Sequence, residues 1–243
     1  MFSKLEKKSI SLITLIYFFR MLGAFMIFPI LSVFADSYSL STPFLIGVTL
    51  GVYGLTNAIM QIPFGILSDR YGRKKIILLG LWIFLLGSVM CAITDNIYFL
   101  ILGRALQGAG AISGALMALL SDSTTDSNRT LSMAIVGVAI GIAFFSAFII
   151  GPLISKYFNL AGVFILIVLL TILSISLMSI YKIKSNSVNR QFRFSLKELI
   201  YNKTLYPFFI DILVLHTILT SIFIAVPVMM TEKYLIDIDD FPQ

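Results

Sequence analysis

Arg20 and Arg104 each stand inside a long apolar run, where a permanent cation is costly unless something anionic or strongly dipolar meets it. Arg20 lies about ten residues into its run, or about 15 Å at 1.5 Å per residue, which is close to a bilayer midplane. A cation at that depth could hold an anionic group of a small molecule, relay charge to an acid on another segment, or pair with a backbone oxygen. Arg104 is followed three residues later by Gln107, and its structural role would be to bond carbonyl oxygens, Gln107 or Gln61. Asn57 and Gln61 share one helical face at i and i+4. They would line a cavity if that face points inward, and residues of this kind also join helices by hydrogen bonds. Arg20, Asn57, Gln61, Arg104 and Gln107 are therefore the candidates for a coupling or substrate cavity. His216, the single histidine, could titrate near neutral pH, while Asp211, five residues earlier, falls on another helical face. Asp36, at the outer end of the first run, is the acid nearest to the presumed cavity. His216 and Asp36 are candidates for a proton relay; a helix-to-helix hydrogen bond and a solvated helix end are their plainer roles.

The same inventory excludes other chemistry. A hydrolase needs a nucleophile with a base, and there is no G-x-S-x-G elbow and no H-E-x-x-H zinc pair. The chain is not expected to be an enzyme, and neither a cofactor nor a metal is expected. The lone Cys91, inside an apolar run, can form no internal disulfide and reads as core packing. The net charge of +6 does not point to nucleic acid, because the basic residues lie in short segments between apolar runs rather than on one soluble face.

The elements that must position these residues follow from composition. With 58% apolar and 12% charged residues, the 243-residue chain lacks the material for a polar surface, and a lipid bilayer is the solvent that suits it. A hydrocarbon core of about 30 Å needs about 20 apolar residues per helix. Runs of that length predict spans at 10–35, 44–68, 76–94, 98–120, 131–155, 161–181 and 205–230. Outside them, fourteen Lys and Arg fall on one side, among them Lys4, Lys7, Lys8, Arg70, Arg73, Lys74, Lys75 and Arg129. Lys156 and Lys233 fall on the other, so the positive-inside rule predicts a multi-pass inner-membrane protein with its N-terminus in the cytoplasm. The first run is too long for a signal peptide and is interrupted by Arg20, so it is read as an uncleaved helix. The polar, basic segment 182–204 is the expected linker, with a surface-lying helix at 195–201. It separates a six-helix unit, 1–181, from the seventh span and outer tail, 205–243.

Between the second and third spans the sequence reads GILSDRYGRKK, from Gly65 to Lys75. Gly65 lets a neighbouring helix approach closely. Asp69 can accept hydrogen bonds from a helix N-terminus, from Arg70 or from Arg73, and Gly72 permits a tight turn. The cluster of Arg70, Arg73, Lys74 and Lys75 suits an anionic leaflet. This loop resembles the G-x-x-x-D-R-x-G-R-[KR]-[KR] loop of the major facilitator superfamily. The stretches 18–34, 51–70 and 101–122 are similar to its YajR-type bacterial members, a resemblance that runs from the first span into the seventh. Such members are regarded as proton-driven efflux carriers.

The resemblance implies the major facilitator fold and a carrier that moves a small-molecule substrate against protons by alternating access, with residues 65–75 as its gate loop. Arg104 and Gly108 match an intramembrane R-x-x-x-G motif associated with proton coupling. The antiporter signature of the fifth span is met only at Gly151-Pro152, where a bend or close packing is the plain role. The small-residue pairs Gly47/Gly51, Gly110/Gly114 and Gly137/Gly141 are expected to let helices approach closely. Family members have two six-helix halves, so the chain is expected to be a truncated form: a six-helix N-terminal bundle plus a seventh helix. A missing C-terminal half or a second chain would then be its partner, alongside the bilayer. The alternative is a non-transporting membrane remnant or scaffold, which would tolerate Leu at Arg20 and Arg104.

Overall fold

The computed structural model describes residues 2–34 and 38–181, together with scattered positions between 203 and 222. Two compact units divide the chain, Met1–Asn186 and Ser187–Gln243. In the first, the helices are α1 (Lys4–Phe34), α2 (Pro43–Tyr71), α3 (Arg73–Ile93), α4 (Ile97–Ala109), α5 (Ser113–Asp122) and α6 (Asp126–Ile180). In the second, every described position from 206 to 222 is helical. The expected linker, the surface helix at 195–201 and most of the seventh span lie outside the described residues.

Local chemistry sets the helix starts. Ser3 and Glu6 form a reciprocal capping box, with Ser3 Oγ accepting from Glu6 N at 3.2 Å and Glu6 Oε2 accepting from Ser3 N at 2.8 Å. Thr42 caps α2 through Leu45 N, with Pro43 in the first turn, and Asn96 caps α4 through Tyr98 N.

Two differences from the expected spans have physical causes. The fourth span is broken at 110–112 into α4 and α5. There the chain presses on α3 so closely that a Cβ on Gly110 would collide with the Gly80 carbonyl and crowd Phe84. The fifth and sixth spans form one 55-residue element, which as a straight helix would be about 80 Å long. It folds back instead at Asn159, whose φ of 56° and ψ of −169° are non-helical. Five apolar stretches, Lys4–Leu31, Pro43–Tyr71, Arg73–Ile93, Ile97–Asp122 and Asp126–Ile180, are long enough to cross a bilayer, and the last supplies two crossings.

Contacts fix the directions of the crossings. Thr125 meets Glu6, and Gly151 meets Met26 and Ile30, so the first leg of α6 runs parallel to α1. Ile167 packs at Gly23 and the Tyr181 ring lies under Lys8 Nζ at 4.7 Å, so the second leg runs antiparallel. Along α3, Cys91 meets Gly103, Gly80 meets Ile112 and Arg73 meets Asp122, which makes α3 antiparallel to α4 and α5. One end of the six-crossing bundle thus gathers the starts of α1, α3 and α6 and the ends of α2, α5 and α6. At the opposite end, Ser39 pairs with Asn96 and joins the two loops there.

The packing is uneven. α1 is central, with Ile13, Ile16, Met26, Ile27 and Leu31 fully enclosed, whereas α2 is peripheral. Several of the expected glycine approaches are not made among the described residues, where a Cβ on Gly47, Gly51, Gly65, Gly137 or Gly141 would meet nothing within 4 Å. Close approaches are made by Gly80, Gly87, Gly103, Gly108 and Gly110 around α4 and its junction with α5, and by Gly151 against α1. The Gly151-Pro152 step therefore has a packing role.

Candidate functional site

The gate loop lies at the end of the bundle where α2 turns into α3. Gly72 makes that turn at φ 98°, a backbone region that side chains disfavour, and donates its N–H to Ser68 O at 3.1 Å. Its conformation starts α3 directly at Arg73, whose guanidinium then has three partners. Nη1 pairs with Asp69 and donates to Ser68 Oγ at 2.7 Å, and Nε donates to Asp122 Oδ2 at 3.1 Å. Arg73 thereby ties the end of α2 to the end of α5. Arg70 takes no part; its guanidinium lies over the Tyr71 ring at 5.5 Å. Lys74 Nζ donates to the carbonyls of Ser179 and Tyr181 at 2.9 and 2.8 Å, satisfying the exposed C-terminal end of α6. Lys75 is exposed.

A second polar centre lies inside the bundle. Arg104 is 1% exposed and Gln107 is fully enclosed. Arg104 Nη1 donates to Gln107 Oε1, Gln107 Nε2 donates to Ser88 Oγ, and Ser88 Oγ donates to Phe84 O, at 2.8, 2.8 and 2.7 Å. The guanidinium also stacks on the Tyr53 ring, 4.4 Å from its centroid. Arg20 is 3% exposed and lies over the Phe84 ring at 4.8 Å. Its neighbour one turn earlier, Tyr17, donates its hydroxyl to Ser113 O at 3.1 Å. So α1, α2, α3 and α4 each contribute to one cluster containing Arg20, Tyr53, Phe84, Ser88, Arg104 and Gln107.

The other candidates stand apart. Gln61 is half-buried and leans on α5, its Nε2 3.1 Å from where a Cβ on Gly114 would stand. It is not a partner of Arg104. Asn57 is half-buried on the same helix. Asp211 is exposed within its own unit, and Asp36 and His216 lie outside the described residues. A groove of about 490 Å³ runs between α1 and the first leg of α6, lined by Lys7, Ser11, Thr14, Phe18 and Ile142 among others. None of the candidate cavity residues reaches it.

Sequence reasoning missed four participants. Asp122 closes the run 101–122, and nothing beside it in the sequence marks Arg73 as its partner. Ser88, Phe84 and Tyr53 carry no motif that marks them. A fifth, Glu6, was readable as the fourth residue of an S-x-x-E capping box. Its carboxylate also accepts from Thr125 N, Thr125 Oγ1 and Asn128 Nδ2 at 2.9, 3.0 and 3.3 Å. These bonds from the start of α6, together with the one from Ser3, hold its pKa down at about 2.

Comparison with known proteins adds the following. Residues 13–237 match the model of the Major Facilitator Superfamily. The inner membrane transport protein YajR of Escherichia coli (strain K12) is 41% identical over 223 residues, covering 89% of this chain and 49% of that protein. An uncharacterized transporter of Buchnera aphidicola subsp. Schizaphis graminum (strain Sg) is 39% identical over 218 residues, covering 87% of this chain and 56% of its own length. Among solved structures, the POT family transporter PepTSo is similar with a TM-score of 0.62 at 20% identity, over 73% of this chain and 37% of that one. At that identity the likeness concerns the fold alone. The chain spans about half the length of the curated relatives it matches.

Proposed function

The chain belongs to the major facilitator superfamily, and from that premise we propose that it takes part in carrying a small molecule across the inner membrane by alternating access, as a proton-coupled efflux carrier. The observation that supports this most is the ion-pair junction of Asp69, Arg73 and Asp122. A carrier must make and break contacts at one end of a bundle as access alternates. Half-exposed ion pairs between helix ends suit that, because each is worth little and can be exchanged. Proton coupling draws on the resemblance of Arg104 and Gly108 to the intramembrane motif, and the efflux direction on the resemblance to YajR-type members. The end bearing the gate loop is the cytoplasmic end in this reading. The working carrier includes a second helical half, supplied by more of the same polypeptide or by another chain.

Everted membrane vesicles holding the chain together with its second helical half are expected to show proton movement when a transported compound is added, and Asp69→Asn to suppress it. Vesicles with no compound-linked or proton-linked flux, together with an Asp69→Asn variant that changes nothing, would sink the carrier reading.

A further inference from the structure

Between two ties, α1 and the first leg of α6 stand apart. At the start of both helices the Glu6 carboxylate accepts from Thr125 and Asn128. Further along, the Phe25 and Phe144 rings meet edge-on with centroids 5.1 Å apart. The groove of about 490 Å³ lies between these ties, with Lys7, Ser11 and Phe18 on its α1 wall and Ile135, Ala139 and Ile142 on its α6 wall. Spacings of three, four and seven residues keep each set on one helical face. Lys7 and Ser11 are exposed and Ile142 is 54% exposed, so the groove opens sideways along its length.

Its polarity is graded along the helix axis. Lys7 stands three residues before the apolar run that opens at Ile10, where a lysine reaches headgroup depth. Phe18 lies eleven residues beyond Lys7, or about 16 Å, close to one leaflet of a hydrocarbon core of about 30 Å. No Asp or Glu lines the groove. Glu6, beside Lys7 in the chain, is engaged by Ser3, Thr125 and Asn128, and Lys7 enters none of the ion pairs among the described residues. An apolar gap leaves its lining without dispersion partners until a hydrocarbon chain fills it, and an unpaired cation at the mouth favours an anion there.

We propose that this groove holds one anionic phospholipid of the adjoining leaflet, its phosphate at Lys7 Nζ and the Ser11 hydroxyl and one acyl chain laid along Phe18, Ile135, Ala139 and Ile142. A zwitterionic headgroup would bring a second cation beside Lys7 and fit less well. The leaflet is the cytoplasmic one in the orientation proposed above, and only the choice of leaflet rests on that reading.

Native mass spectrometry of the full chain, carried in detergent with equal amounts of phosphatidylglycerol and phosphatidylcholine of identical acyl chains, tests this. One phosphatidylglycerol per chain is expected to be retained in preference to phosphatidylcholine. Lys7→Gln should weaken phosphatidylglycerol binding about fivefold, the effect of one lysine at the surface, and leave phosphatidylcholine unchanged. Lys4→Gln, at an exposed lysine outside the groove, should change neither. Ala139→Phe fills the groove and should lower retention of both lipids, with its melting temperature showing that it is folded. Equal retention of the two lipids, equal losses in Lys4→Gln and Lys7→Gln, or unchanged retention in a folded Ala139→Phe variant overturns the proposal. Another occupant overturns it too. Oleate displacing phosphatidylglycerol at similar concentration would mark a free carboxylate amphiphile, a lipid-free dimer that Ala139→Phe dissociates would mark a second copy, and loss of the lipid on assembly with a second helical half would mark that half. Retained lipid is read without flux, so a lipid-bound chain whose assembled vesicles move nothing would sink the carrier reading and leave the site standing.

Discussion

Arg73 is the residue on which the gate loop turns, since one side chain holds Asp69 on α2 and Asp122 on α5. Its partners are partly exposed, so the pairs are screened and each is worth about 1 kcal/mol or less. Asp122→Asn is therefore expected to lower thermal stability only slightly while lowering flux as Asp69→Asn does. Measuring melting temperature and vesicle flux on the same preparation separates the two effects. Gly72 is different in kind. With φ at 98° and nothing within 4 Å of a Cβ, Gly72→Ala carries only backbone strain, about 1–3 kcal/mol, visible as a lowered midpoint of denaturation. Glu6 supplies a pH dependence. Its folded pKa of about 2 lies below the ordinary 4.5, so its contribution is full above about pH 4.5 and is lost as pH falls toward 2. Glu6→Gln should flatten that part of the stability profile, seen as a smaller difference in melting temperature between pH 6 and pH 3 than in the parent chain. At this scale the sequence revealed charges and not their partners. Asp69 and Arg73 are four residues apart and readable as a pair, whereas Asp122 lies forty-nine residues from Arg73 and meets it only through the fold.

The helices divide into a tightly packed seam and loosely covered faces, and glycine marks the difference. At Gly87 a Cβ would stand 2.5 Å from the Gly103 carbonyl and 2.6 Å from Gln107 N, so α3 and α4 touch backbone to backbone. Gly87→Ala must push the helices apart, at about 1–3 kcal/mol for an overpacked contact. It would also displace Gln107, which anchors Arg104. Gly137→Ala, in open space on a helix, should be neutral or stabilise by about 0.5–1 kcal/mol through propensity alone. Comparing their unfolding midpoints in detergent checks the contrast; equal effects would contradict the seam. Apolar run length was enough to read the first six crossings, because the hydrocarbon core imposes it. Spacing of small residues was not enough to read the seam. Gly47/Gly51 and Gly137/Gly141 have the same four-residue interval as Gly110/Gly114, yet among the described residues only the last pair faces another helix. Which side of a helix is covered depends on the arrangement of all six crossings. The break at Gly110 and the reversal at Asn159 were hidden for a similar reason, since both sit within runs whose hydropathy continues on either side.

For the whole molecule, the segregation of charge between the two ends is a statement about orientation. Lys4, Lys7, Lys8, Arg73, Lys74 and Arg129 gather at the end where α1, α3 and α6 begin, and Lys156 stands near the opposite end, beside the reversal at Asn159. Insertion retains positive segments on the cytoplasmic side, so the first end is expected to face the cytoplasm. Cysteine labelling can decide this with little background, because the single native thiol, Cys91, is enclosed and turned toward Leu100 O. Lys4 and Lys156 are both exposed, so a thiol at either position can be reached from its own side. With a membrane-impermeant maleimide, Lys156→Cys should label in intact spheroplasts and Lys4→Cys only after the membrane is opened. Both variants labelling without permeabilisation would indicate mixed insertion, and the reverse pattern would put the gate loop outside. That result would also move the junction of Asp69, Arg73 and Asp122 to the external end, and the assigned direction of proton movement would then have to be inverted with it.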